Sequence, residues 1–340
     1  MIFQNIDFHN VASLTEDGAG GYVMHRFPLE VEEALSDGGK RANKDNTGVE
    51  LRFKLISNSV KLKLRLDAPT TSATNVYIYR GGIVGKWQEC ETSIVGGDTK
   101  ELVISKEPNI DMLWKVTNSA SFGFSPEVVR VVLNPSSIRF VSIEGELTPP
   151  QDGDLPRRTY LAYGSSITHG STSLTMPHSY VSQIGEHFRV DTINLGYAGN
   201  ARLEPAVADE IAAMGARGEW DFASLCMGIN ILNIECADFE ERVKNMIKTV
   251  AEANPEKHIF CISPFYCNED MRGSSKPSEF REIVERVVRD YNSHYVHYVC
   301  GADILDGPWG LAGDLVHPSP LGVRAIADGL IKEFSKYITR

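Results

Sequence analysis

The stretch Thr159-Tyr-Leu-Ala-Tyr-Gly-Ser-Ser-Ile-Thr-His-Gly170 holds the pattern that decides how the 340-residue chain is built. Thr159–Tyr163 is a short apolar run of strand length. Gly164 then breaks it, and the serines that follow suit a turn leading into a helix. One such strand and helix make a β-α unit, and the unit recurs downstream. Apolar runs lie at Tyr160–Tyr163, Thr192–Leu195, Phe222–Met227, Ile259–Ile262 and Tyr295–Val299, with helix-spaced segments between them. Phe239, Val243, Met246, Ile247 and Val250 share one helical face, with Asp238 and Glu241 as a capping-box start and Pro255 just past the end. Phe280, Ile283, Val284, Val287, Val288 and Tyr291 form a second stripe. Five units predict a five-stranded parallel sheet covered by helices on both faces, with ligands bound outside the carboxyl ends of the strands.

Upstream the period changes. Leu51-Arg-Phe-Lys-Leu55 and Val60-Lys-Leu-Lys-Leu-Arg-Leu66 alternate apolar and basic residues, which predicts strands with one buried and one wet face, Lys61, Lys63 and Arg65 lying on the wet side. Further strand-like runs at Val76–Tyr79, Glu101–Ser105, Val128–Leu133 and Ile138–Glu144 are separated by turn residues, with no clear helix among them. This predicts an all-β sandwich of jelly-roll type. Leu147-Thr-Pro-Pro-Gln-Asp-Gly-Asp-Leu-Pro156 breaks every period. The expected division is therefore residues 1–148 as the β domain, 149–158 as linker and 159–340 as the α/β domain.

The composition, 42% hydrophobic and 23% charged, is that of a folded soluble protein with filled cores. Lys plus Arg number 34 against 45 Asp plus Glu, a formal net charge of −11, and no basic run stands out, which argues against nucleic acid as a partner. No run approaches the roughly 18–20 apolar residues that span a bilayer, and the first residues lack a leader pattern. Cys90, Cys226, Cys236, Cys261, Cys267 and Cys300 are widely spaced without a C-x-x-C and read as free thiols in a reducing cytoplasm.

The chemistry gathers at the expected strand ends. A serine held in a strand-to-helix turn, as Ser166 is after Gly164, leaves backbone N–H groups of the turn available to an anion. The second strand runs into Asn194-Leu-Gly-Tyr-Ala-Gly199-Asn200 and the third into Gly228-Ile-Asn230, glycine amides and an Asn side chain able to serve an oxyanion, or equally tight turns and a cap. Asp314 and His317 lie three residues apart in one turn, so the carboxylate can fix the imidazole tautomer. A serine, oxyanion donors, an Asp and a His are the parts of an acyl-transfer site.

These four segments resemble, in order, the four blocks of the SGNH (GDSL-type) hydrolases, over roughly the last 185 residues. The resemblance implies a flavodoxin-like three-layer α/β/α domain. It also implies Ser166 as nucleophile, His317 as general base and acid, and Asp314 as the carboxylate that orients it. The oxyanion hole would be the backbone N–H groups of Ser166 and Gly199 with the Asn230 amide. One departure is Ser165, where the block usually carries Asp. The pattern is not the G-x-S-x-G elbow, since Thr168 stands at the second Gly. A β domain ahead of such a unit is similar to two-domain carbohydrate esterases, an analogy of architecture.

The implied activity is hydrolysis of short-chain acyl esters, acetyl foremost, of carbohydrates or similar polar alcohols, with neither cofactor nor metal. Acyl transfer by the same residues and an inactive glycan-binding protein are the alternatives; no apolar lid segment suggests a lipid surface. His178 after the serine turn, Trp309 in Asp-Gly-Pro-Trp-Gly310, and Phe265 with Tyr266 are candidates to line the substrate site, each with ordinary surface or packing roles as the competing reading. His294 and His297 would point to opposite faces of a strand and do not form a metal pair. Gly81-Gly82-Ile-Val-Gly85 lacks the Lys and helix of a phosphate loop.

Overall fold

The computed structural model describes residues 1–67, 73–86 and 91–340; Cys90 lies outside them. Two compact units result, one of Met1–Leu29, Asn43–Arg157 and Arg189–Asp191, the other of Glu30–Ala42, Arg158–Phe188 and Thr192–Arg340. The segment 30–42, from the β-rich half of the sequence, is thus part of the second unit. The linker-like stretch is tied to the first, where Asp154 accepts from Gln151 N and Lys54 Nζ, and its carbonyl accepts from Ser125 N.

The first unit is built of antiparallel strands: β1 (Ile2–Phe3), β2 (Ile6–His9), β3 (Ser13–Glu16), β4 (Tyr22–His25), β5 (Glu50–Leu55), β6 (Ser59–Leu66), β7 (Ala73–Arg80), β8 (Ile83–Val84), β9 (Glu91–Val95), β10 (Thr99–Ser105), β11 (Val128–Leu133), β12 (Ile138–Glu144) and β13 (Leu147–Thr148). One sheet runs β1-β2-β5-β11-β7-β8, with β13 beside β5 and β9 beside β7; the other runs β10-β6-β12-β4-β3. Their inner faces meet in a sandwich core where Leu51, Phe53, Val129 and Val131 of one sheet join Leu62, Leu64, Ile104 and Phe140 of the other.

The two alternating strands differ in a way that periodicity did not show. On β6 the Lys61 and Lys63 side chains face solvent, as the pattern predicts. On β5 Arg52 is buried, its guanidinium gripping Asp191 at 2.6 and 2.7 Å and Glu50 at 2.8 Å. Burial alone would raise the Glu50 carboxyl, but Arg130 and Arg52 overcome it and hold the group at about 2. A basic residue at a wet-face position is here sealed by paired carboxylates.

The expectation of no helix in the first 148 residues is corrected. Three occur among the described residues: α1 (Leu29–Glu33), α2 (Asp37–Asn43) and α3 (Ile110–Ala120). The first two are too short to display a period, and α2 contains Gly38-Gly39. On α3 Met112 and Val116 face solvent, so no buried stripe marks it.

In the second unit the strands β14 (Thr159–Gly164), β15 (Asp191–Gly196), β16 (Phe222–Cys226), β17 (His258–Ile262) and β18 (Val296–Val299) form a sheet in the order β15-β14-β16-β17-β18, with β14, β16, β17 and β18 pairing in parallel. Every residue of β16 is buried, which is why the strand reads as a continuous apolar run. The helices are α4 (Ser166–His169), α5 (Tyr180–Phe188), α6 (Pro205–Ala216), α7 (Cys236–Ala253), α8 (Asn268–Met271), α9 (Lys276–Tyr291), α10 (Gly301–Ile304) and α11 (Pro320–Phe334). α5 packs on α11, and α6, α7 and α9 pack in series. The Asp238–Glu241 capping box is corrected: α7 begins at Cys236 after Glu235, and Asp238 lies in its first turn, where a carboxylate favours the helix dipole. With β15 and β16 on opposite sides of β14, the strand order reverses at β14, and open α/β sheets bind ligands beyond the carboxyl ends of their strands at such a reversal.

Candidate active site

Ser166 opens α4 at the end of β14. Ser165 is fully buried in extended conformation ahead of it, and its Oγ accepts from Ile167 N at 3.3 Å, an N-cap. The serine in place of the usual Asp therefore supplies the cap itself. Asn194 on β15 steadies the same turn, its Nδ2 donating to Thr168 O at 2.8 Å while Oδ1 accepts from Gly196 N. The Ser166 N–H belongs to the first turn of α4, whose amides have no partner within the helix.

Asp314 and His317 come from the loop before α11. Leu315 between them takes a left-handed conformation, φ 61°, which costs a leucine roughly 1–2 kcal/mol. The resulting turn lets Asp314 Oδ1 accept from Val316 N at 3.0 Å and His317 N at 2.9 Å, while Oδ2 meets His317 Nδ1 at 2.6 Å. His317 Nε2 is 2.7 Å from Ser166 Oγ. The His317 hydrogen bond, with those two amides, holds the Asp314 carboxyl at about 2. Ionised Asp314 accepts the Nδ1 proton and leaves Nε2 as the acceptor facing Ser166. Thr172 Oγ1 donates to Pro318 O at 2.5 Å, tying the serine loop to the histidine loop.

Gly199 follows β15 with φ 69° and open space beside its Cα, and Asn230 follows β16. Ala201 N donates to Asn230 Oδ1 at 3.0 Å, which fixes the amide so that Nδ2 is the end left to donate elsewhere. Sequence reasoning missed this support, because Ala201 has no chemical signature. It also missed the segment 30–42. Ser36 N donates to Glu204 Oε1 at 2.9 Å, and Gly38 lies so close to Asn200 that a Cβ there would stand 1.8 Å from Asn200 Oδ1. The run carrying Gly199 is thus backed by α2.

The remaining candidates divide. Trp309 is 58% exposed, with Nε1 donating to Asp306 Oδ1 at 2.7 Å. His178 is exposed, its Nδ1 2.6 Å from Thr175 Oγ1, and Tyr266 is half-buried. Phe265 is corrected as a substrate-facing residue: it is buried, its carbonyl accepts from Arg281 Nη2, and Gly301 packs on its backbone. Cys226 and Cys261 are buried free thiols within β16 and β17, and burial pushes Cys226 up to about 12.

Residues 162–325 match the GDSL-like lipase/acylhydrolase family. No curated protein matches the sequence. Among solved structures, a salicylyl-acyltransferase from a tetracycline biosynthetic pathway superposes with a TM-score of 0.79 at 16% identity, covering 98% of this chain and 95% of that one. A family two carbohydrate esterase from Cellvibrio japonicus gives 0.65 at 12% identity over 98% and 95%. One from Clostridium thermocellum, in complex with cellohexaose, gives 0.57 at 16% over 85% and 91%. At these identities the structures speak to fold, an N-terminal β-sandwich followed by an α/β unit with a five-stranded parallel sheet. Residues 162–325, which hold Ser166, Asn230, Asp314 and His317, thus match the GDSL-like lipase/acylhydrolase family, in line with the SGNH resemblance of the four segments.

Proposed function

We propose that this protein is a serine esterase that removes short acyl groups, acetyl foremost, from carbohydrates or similar polar alcohols. The observation that carries the reading is the continuous relay from Asp314 through His317 to Ser166, with contacts of 2.6 and 2.7 Å. His317 Nε2 takes the proton from Ser166 Oγ as the oxygen attacks the ester carbonyl. The N–H groups of Ser166 and Gly199 and the Asn230 amide receive the oxyanion. Collapse expels the alcohol with the proton from His317 and leaves an acyl group on Ser166. Water then repeats the sequence, His317 acting again as base and acid, and frees the carboxylic acid.

Ser166 is only 8% exposed, which supports a small acyl group at the reacting carbon. Delivery of the acyl group to a bound alcohol in place of water uses the same residues, and the fold shared with an acyltransferase keeps that reading beside the first. An inactive glycan binder is disfavoured by the intact relay. The test is hydrolysis of acetylated sugars and of aryl esters of increasing chain length, with Ser166→Ala as control. Fast release of short chains alone supports the reading; preference for long chains contradicts it, and product diverted to an added acceptor favours transfer.

A further inference from the structure

The strand order β15-β14-β16 takes the loop that carries Gly199 across the end of the nucleophile's own strand. The loop leaves β15 at Gly196 and reaches Asn230, beyond β16, where Ala201 N donates to Asn230 Oδ1 at 3.0 Å. On either side of Gly199, β14 holds it. Tyr197 N donates to Gly164 O at 2.7 Å, and Leu203 N donates to the Tyr163 hydroxyl at 3.1 Å. Consecutive residues of β14 thus take the two ends of the stretch 197–203, just ahead of Ser165 and Ser166.

Gly164 supplies a backbone carbonyl, which any residue could offer. The tie at Tyr163 depends on one atom of one side chain. Tyr163 and Leu203 are each 1% exposed, and Leu203 takes a left-handed conformation, φ 57°. Such a conformation in a buried leucine persists only where its surroundings hold it. Its amide lies away from water, so the phenol oxygen is what satisfies it. Burial pushes the Tyr163 hydroxyl well above the ordinary tyrosine range, so it stays neutral and is no acid or base near pH 7. Two other fully buried tyrosines bond elsewhere: Tyr160 meets Ser224 Oγ at 2.6 Å within the sheet, and Tyr180 meets Thr168 Oγ1 at 2.8 Å.

We propose that Tyr163 is a positioning residue for the oxyanion hole: its hydroxyl holds the left-handed turn at Leu203, and through it the Gly199 amide and the Ala201 amide that orients Asn230, in place beside Ser166. The proposal rests on the serine-esterase reading and adds a residue that acts through the loop. Without the hydroxyl, Leu203 is free to relax toward negative φ, which turns residues 199–201 relative to β14. Because Ala201 lies between Gly199 and Leu203, both donors outside the serine turn shift together. A misplacement of about 1 Å in a catalytic group can cost about 10²-fold.

The test compares wild type with Tyr163→Phe and Tyr160→Phe, each of which deletes one buried hydroxyl and keeps the ring. On phenyl acetate, Tyr163→Phe is expected to lose about tenfold to 10²-fold in kcat, with KM within about twofold and the pH profile of wild type. Trifluoroacetone supplies a second readout. Its carbonyl carbon takes Ser166 Oγ, the serine proton passing to His317, and its oxygen becomes an oxyanion where that of the ester forms. Its inhibition constant should rise by the same factor as kcat falls. Tyr160→Phe is expected to match wild type in both. An unchanged kcat in Tyr163→Phe overturns the proposal, as does a loss that trifluoroacetone affinity does not follow or that Tyr160→Phe reproduces. Amide hydrogen exchange of wild type needs no variant to fold: the Leu203 and Ala201 amides should exchange far more slowly than unbonded loop amides, and a Leu203 amide exchanging as freely as those contradicts the clamp. Wild type inactive on every ester would defeat the esterase reading and leave the exchange measurement to decide whether Tyr163 holds the loop.

Discussion

His317 Nε2 stands 2.7 Å from Ser166 Oγ, although 151 residues of sequence separate the two. The contact depends on the strained turn at Leu315 on one side and on the Ser165 cap on the other. Each support can be removed separately.

Ser165→Ala deletes the Oγ that caps α4 and leaves the Ile167 amide buried without it. A cap of this kind contributes about 0.5–2 kcal/mol, so Tm is expected to fall and kcat with it as the Ser166 turn loosens. Ser165→Asp restores a cap and is expected to keep both. Calorimetry with steady-state kinetics checks this; an unaltered Tm in Ser165→Ala would show the bond to be unimportant.

Asn230→Ala removes one of the three donors proposed for the oxyanion. The expected loss is about 10²–10³ in kcat with little change in KM, since the interaction matters only once charge develops on the carbonyl oxygen. A variant impaired chiefly in KM would instead make Asn230 a substrate-binding group.

Gly38→Ala places a Cβ against Asn200 Oδ1, at 1.8 Å if nothing moves. The Asn200 side chain must swing away, which breaks its 2.8 Å hydrogen bond to Ala198 O and removes a tie across the Gly199 turn. The expected loss, if the Gly199 amide shifts in response, is up to about 10²-fold in kcat. In the Asn200→Ala background the clash is gone and Gly38→Ala should cost almost nothing further. Additive losses in the double variant would contradict the coupling.

His258 Nδ1 and His297 Nε2 are 2.8 Å apart, and Tyr337 stacks on His297 with ring centroids 3.7 Å apart. Burial, and after it the neighbouring His258, lower His297 from 6.5 to about 4; burial also lowers His258. Between these values an unfolded chain takes up protons that the folded one refuses, so stability falls as pH drops from about 6.5 toward 4. The measurement is Tm against pH, with a shallower slope expected for His297→Phe. Identical slopes would exonerate the pair.

The five parallel strands were legible to within a residue or two because burial on both faces leaves continuous apolar runs. The serine, histidine and aspartate were legible because each follows such a strand or precedes a clear helix. What escaped were interactions without a residue-type signature: the Ala201 amide that orients Asn230 and the backbone of Gly38 behind Asn200. Phe265 misled for the opposite reason. An aromatic after a strand end looks like a site wall, but Arg281 and Gly301 draw its loop into the core. Arg52 misled likewise, since period alone cannot tell a solvated face from one sealed by Glu50 and Asp191.

The central claim is that Ser166 carries the acyl group between two half-reactions. Mixing the enzyme with an activated acetyl ester, quenching in acid within the first turnover and mapping the peptides by mass tests it directly. The account predicts one acetyl group on the peptide containing Ser166, absent from Ser166→Ala. Rapid hydrolysis with that peptide unmodified at every quench time, or undiminished turnover by Ser166→Ala, would contradict it.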